Sequence, residues 1–275
     1  MTDSFDEPPL TPPAERASFP DGVRFAFGTL TVLPARITRW DRPAARTGMA
    51  CAPLAGLAVG VLAAVPGVLL LLLGAAPLLA AAVTVAVPAA LTRGLHLDGL
   101  ADTADGLGSA KPADEALRIM KKSDIGPFGV IALVIVMLVQ TAALCEVYAD
   151  SWIRGALAAV TAAVTARLAM TLASREGVPP ARPEGLGAAV AGVVPRAAAA
   201  AVAVLVTAAA AAAAAALPAG PPAAARSAAA VLVALLAAEL LLRRCVRRFD
   251  GVTGDVFGAL AEVAATTALI VLALG

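Results

Sequence analysis

The sequence predicts an all-α, polytopic integral membrane protein of about seven transmembrane helices with an amphipathic N-terminal segment, and three observations carry that prediction. Hydrophobic residues make up 60% of the 275-residue chain, charged residues only 15%, and the mean hydropathy is +0.86, outside the range of soluble domains. The apolar residues are gathered into runs long enough to cross a bilayer. The polar segments between the runs place their Lys and Arg almost entirely on one side, the distribution expected of cytoplasmic loops. Aromatics are only 4%, with Ala, Leu and Val dominating the runs, so helix packing should depend on small residues approaching closely.

Residues 1–22, MTDSFDEPPLTPPAERASFPDG, are Pro-rich and acidic without an apolar core, and read as a disordered tail, neither signal nor transit peptide. Residues 23–275 read as one membrane-embedded domain. Val23 to Leu33 is a Phe-containing amphipathic segment too short to span, followed by a basic stretch with Arg36, Arg39, Arg42 and Arg46. Apolar spans are expected at about Met49–Leu73, interrupted at Pro66, and Leu78–Leu91, containing Pro88. The long polar excursion that follows includes an amphipathic helix from Ala113 to Lys122. Further spans are expected at Phe128–Tyr148, Trp152–Leu172, Ala188–Leu217, Ala223–Leu242 and Phe257–Leu274. Ser174–Gly187 is loop by its Pro and Gly content, PAGPP is a turn, and RRCVRRFDGVTGD separates the last two spans.

With seven spans, the basic groups at 36–46, 93–122, 175–182 and 243–248 share one side, and the other keeps only Arg154 and Arg226. The N-terminus is therefore expected inside, and the polar segments able to do chemistry share the cytoplasmic face. A net charge of +1 gives no argument for nucleic acid. Cys51, Cys145 and Cys245 have neither pairing nor metal-ligand spacing and read as small apolar residues.

The most informative stretch is LHLDGLADTADGLGS, Leu95 to Ser109. On a helix Asp98, Asp102 and Asp105 fall at i, i+4 and i+7, within about 60° on one face. Three like charges on adjacent turns repel and call for a compensating cation. Oxygen ligands suit Mg²⁺, which keeps several waters and joins one or two carboxylates to substrate phosphates. Such acids are costly near a membrane unless they have a role. Gly99 and Gly106 beside the stripe would let a bulky ligand approach the backbone.

Asp255 enters the last span directly and is a candidate fourth ligand; the echo of Asp98-Gly99 in Asp250-Gly251 is a weak sign of duplication. Arg118, Lys121 and Lys122, just ahead of Ser123-Asp124-Ile125-Gly126, are placed to hold a diphosphate or to serve as ordinary anchors. The Arg243, Arg244, Arg247, Arg248 group has the character of an anchor. His96, if inside the helix, points some 160° away from Asp98 and suits a hydrogen-bonded structural role; as a general base it requires the helix to begin after it.

Through HLDGLADTADGL, SDIGPFG at 123–129, ARPEGLGAA, GVTGDVFGA and, near the start, FAFGTLTVLP, the chain resembles the adenosylcobinamide-GDP ribazoletransferase, or cobalamin synthase, family from about Val23 to its end. The resemblance implies a Mg²⁺-dependent transferase of the bacterial cytoplasmic (inner) membrane. It would join α-ribazole, or its 5′-phosphate, to adenosylcobinamide-GDP with release of GMP. The family's acidic motif falls on His96, Asp98, Asp102 and Asp105, and its TGD motif on Thr253, Gly254 and Asp255; Arg118, Lys121, Lys122 and Asp124 are the candidate substrate contacts. The Ala-rich stretch from Ala197 to Ala216 departs from the pattern. A homo-oligomer is neither required nor excluded. Two other readings are a CDP-alcohol phosphotransferase, against which Asp102 stands where that family has Arg, and a cation-coupled transporter, whose acids should lie mid-span.

Overall fold

The computed structural model describes residues 16–217 and 220–274. The tail therefore lies mostly outside the described residues, as do the first two residues of the PAGPP turn. Among the described residues there is no strand, and eleven helices follow in order: α1 (Phe19–Leu30), α2 (Arg42–Leu72), α3 (Pro77–Leu91), α4 (Leu95–Gly108), α5 (Ala113–Ile119), α6 (Pro127–Asp150), α7 (Trp152–Ala173), α8 (Gly185–Val190), α9 (Arg196–Ala215), α10 (Gly220–Phe249) and α11 (Gly254–Ala273). Six of these, α2, α6, α7, α9, α10 and α11, are long and apolar enough to cross a membrane. A seventh crossing results if α3 and α4 together count as one broken span, bent by 88°. At 15 residues, about 22 Å, α3 is too short to cross alone. The bend has a backbone cause: Arg93 and Gly94 both adopt positive φ, 55° and 70°, and Gly94 N–H closes on the Ala89 carbonyl at 2.7 Å.

Several boundaries differ from the sequence expectation. Helix α1 begins at Phe19, inside the segment read as tail, because Ser18 and Asp21 form a reciprocal capping box. Helix α2 starts at Arg42, capped by Asp41, and runs through Pro53 and Pro66. Helix α10 continues to Phe249, so the four arginines lie on it and only residues 250–253 link it to α11. Leu242, Cys245 and Phe249 supply the reason: they recur at i, i+3 and i+7 and are buried, which leaves the arginines on the opposite face. The loop after α7 holds the short α8 and extends to Pro195, and α9 is peripheral, with only Ala199 and Ala214 buried.

Small residues make the packing, as the composition requires. On α2, a Cβ added at Gly56 would stand 2.6 Å from the Ala163 carbonyl oxygen, and one at Gly60 would stand 2.8 Å from the Val160 Cα. Helix α2 thus rests directly on the backbone of α7. Helix α11 occupies the centre, packed on α4, α6, α7 and α10. At one end of the bundle the polar segments meet. Backbone bridges join Arg175 to Val194 and Pro180 to Val252, Arg182 donates to the Leu117 carbonyl, and Arg248 donates to the Lys111 carbonyl.

Candidate functional site

Helices α4 and α11 touch through glycine. A Cβ at Gly99 would lie 2.6 Å from the Asp255 carbonyl oxygen, and one at Gly258 would lie 3.0 Å from the His96 Cα. The two bare backbones therefore bring the α4 stripe against the start of α11, where Thr253 caps the helix and its hydroxyl donates to the Asp255 carboxylate at 3.1 Å. Asp98 and Asp255 both act electrostatically on Asp102, so the carboxylates predicted from two distant stretches form one acidic cluster. Asp98 is exposed, and Asp102 and Asp255 are half-buried. Among the described residues none of the three is in a salt bridge. Arg182 is the cation beside them, acting on both Asp102 and Asp255. Arg182 and Asp255 also line a cavity of about 270 Å³ with Glu184, Leu186 and Thr253.

Asp105 belongs to the stripe in sequence but has another occupation. Buried, its carboxylate accepts N–H bonds from Gly126 at 2.7 Å and Gly129 at 2.9 Å, capping α6 from a different helix. A Cβ at Gly129 would stand 2.6 Å from that carboxylate, which is why glycine flanks Pro127-Phe128.

The helix already includes His96, so the condition for its use as a general base on the stripe face is not met. His96 is buried, its backbone meeting Gly258 of α11; among the described residues its Nε2 has no hydrogen-bond partner, and the buried Arg167 of α7 acts on it electrostatically. Among the described residues Arg167 Nε and Nη2 have no hydrogen-bond partner, and Arg167 interacts electrostatically with Glu262, which accepts from Gln140 at 2.9 Å. Sequence reasoning missed this buried group, because Arg167 and Glu262 are single charges inside apolar runs.

Arg118, Lys121, Lys122 and Asp124 are exposed, make no ion pair among the described residues and do not line the Asp255 cavity. They sit at the end of α5 and after it, while Leu117 and Met120 anchor that helix in the core. Arg182 was read from sequence only as a loop charge. The one signal for it was its place in the ARPEGLGAA motif. The three cysteines are unpaired, with Cys51 and Cys245 buried and Cys145 partly so.

The donor set suits a hard cation in part. Asp98, Asp102 and Asp255 offer only oxygen and, among the described residues, are in no salt bridge, yet no three acidic, His or Cys side chains among those residues converge to enclose a metal ion. Such an arrangement matches an ion shared with substrate phosphates better than a protein cage.

No solved structure matches the chain. In sequence it is 46% identical over 268 residues to the adenosylcobinamide-GDP ribazoletransferase of Frankia casuarinae, covering 92% of this chain and 94% of that protein. It is 39% identical to the enzyme of the same name from a Nocardioides species, covering 91% and 97%, and 36% identical to that of Stutzerimonas stutzeri, covering 90% and 96%. The family model described as cobalamin-5-phosphate synthase matches residues 22–273, which spans α4, α11 and every carboxylate of the acidic cluster. The chain belongs to the cobalamin-5-phosphate synthase family.

Proposed function

We propose that this protein is an adenosylcobinamide-GDP ribazoletransferase of the bacterial cytoplasmic membrane, dependent on Mg²⁺, with its acidic cluster facing the cytoplasm. It joins α-ribazole, or its 5′-phosphate, to adenosylcobinamide-GDP and releases GMP. The observation that carries the reading is the contact at Gly99, which sets Asp98 and Asp102 of α4 against Asp255 of α11 with Arg182 beside them, inside the region matched by the family. The basic asymmetry of the loops supports the cytoplasmic orientation.

Forming the nucleotide loop requires a ribazole hydroxyl to attack the cobinamide-side phosphorus while the bond to GMP breaks. Such a step asks the protein chiefly for alignment and charge neutralisation. Mg²⁺ held by Asp98, Asp102 and Asp255 would supply neutralisation of the diphosphate oxygens. Arg182 is placed to stabilise negative charge on the departing phosphate. Lys121 and Lys122, exposed beside the polar end, guide the anionic substrate inward. A stripe carboxylate accepts the hydroxyl proton; the half-buried Asp102, amid like charges, is the best placed. Asp105 and His96 support this site from behind, one by capping α6 and the other by packing under Gly258.

Purified protein in detergent, given adenosylcobinamide-GDP, α-ribazole and Mg²⁺, should release GMP and the joined corrinoid in equal amounts. Neither should form without the acceptor or with the cation chelated. Release of GDP or inorganic diphosphate would place bond cleavage elsewhere and overturn the mechanism.

A further inference from the structure

Arg167 is a buried charge that the proposed reaction does not use. It is 3% exposed within the apolar span of α7, and among the described residues its Nε and Nη2 have no hydrogen-bond partner. Nor is it in a salt bridge among those residues. A guanidinium left open in such surroundings is costly enough to require a role. Its backbone is fixed on both sides: one turn before it the Ala163 carbonyl meets Gly56 of α2, and one turn after it the Thr171 hydroxyl donates to the Met49 carbonyl at 2.6 Å. We propose that Arg167 is a positioning residue of the transferase site, holding α4 and α11 in register through His96 and Glu262, an inference that rests on the transferase reading.

Three observations support the assignment. First, His96 and Glu262, on which Arg167 acts electrostatically, belong to the two helices that bring the acids together. On α11, Asp255, Gly258 and Glu262 recur at i, i+3 and i+7 and so share one face, and Gly258 is where a Cβ would stand 3.0 Å from the His96 Cα. On α4, His96 is two residues from Asp98. A shift of either partner therefore passes along a rigid helix to a carboxylate of the cluster. Second, Glu262 is held independently by α6: Gln140 Nε2 donates to its carboxylate at 2.9 Å and to the Thr266 hydroxyl at 3.0 Å. The guanidinium thus acts on a carboxylate whose place is already set. Third, His96 Nε2 has no hydrogen-bond partner among the described residues, so no direct bond there competes with the field of Arg167, which is strong where the dielectric is low. An ion pair serving stability alone would gain most by closing into direct contact, and this one stays open.

The test uses the full chain in lipid, without a histidine tag, and takes two readings. In the first, Arg167→Met/Glu262→Gln, which removes both charges together, is compared with wild type for thermal unfolding and for GMP release. Unfolding should stay close to that of wild type while turnover falls about 10²-fold, the weight of a misplacement near 1 Å, with KM nearly unchanged. In the second, isotope-labelled histidine reports on His96 alone, because the chain holds one histidine, and its ring-nitrogen resonances should shift in the double variant. Arg167→Lys, which keeps the charge and loses the planar fork, should show about a tenfold loss of turnover and a smaller shift, and it carries the test if the double variant does not fold. Wild-type turnover by the folded variant overturns the proposal, and so do unshifted His96 resonances. Absence of GMP release by wild type would instead overturn the transferase reading, and the His96 resonances would still decide whether Arg167 acts on α4.

Discussion

Replacing Gly99 by alanine tests whether the α4–α11 contact holds the acidic cluster together. The added Cβ would lie 2.6 Å from the Asp255 carbonyl oxygen and 2.9 Å from its Cα, against ordinary contact beginning at 3.4 Å, so the helices must part by about 0.8 Å. Neither obstacle is the flexible end of a side chain. Overpacking of this kind costs about 1–3 kcal/mol, and the better helix propensity of alanine returns about 1 kcal/mol, so net stability falls by at most about 2 kcal/mol. A displacement near 1 Å at a reacting centre, by contrast, lowers turnover by about 10²-fold. The expected signature is a large loss of GMP release with a small change in thermal unfolding. Gly258→Ala is the graded control, because its Cβ would meet His96 at 3.0 Å and force a smaller separation. Near wild-type turnover by a folded Gly99→Ala protein, or a larger loss in Gly258→Ala, would refute the idea that this contact positions the carboxylates.

Other variants separate roles that the sequence merged. Asp105→Asn should lower stability by about 2 kcal/mol, because it weakens two charge-assisted bonds to Gly126 and Gly129. Asp98→Asn and Asp102→Asn should reduce activity and raise the Mg²⁺ requirement without loss of thermal stability, since each relieves like-charge repulsion; equal destabilisation by all three would make the stripe structural throughout. Arg167→Met should lower stability by about 3 kcal/mol or more by leaving Glu262 without its cation, and Arg167→Met/Glu262→Gln should regain most of it. If the double variant unfolds as easily as the single, the pair is not the reason Arg167 is tolerated. In intact cells and a cysteine-free background, Lys122→Cys and Glu184→Cys should resist an impermeant thiol reagent, while Leu73→Cys at the opposite end should react. Labelling of either loop position would reverse the orientation.

The membrane class, the number of apolar runs, the clustering of basic loops and the acidic stripe were legible from the chain because each is written in residues that are neighbours in sequence. Composition sets the solvent, helical periodicity puts Asp98 and Asp102 on one face, and charge asymmetry puts the polar segments on one side. The motifs also carried the family, which removes the CDP-alcohol and transporter readings. Partners from distant segments decided the rest. Asp105 looks like a third ligand until α6 brings Gly126 and Gly129 to it, and Arg182 looks like a loop anchor until its loop folds beside Asp102 and Asp255. The arginines after Leu242 look like a linker until Cys245 and Phe249 find the core and extend α10 beneath them. Sequence periodicity states which face of a helix is polar. Only packing states what that face meets, because the contact that fixes a charge's role is made by residues whose approach depends on every helix between them.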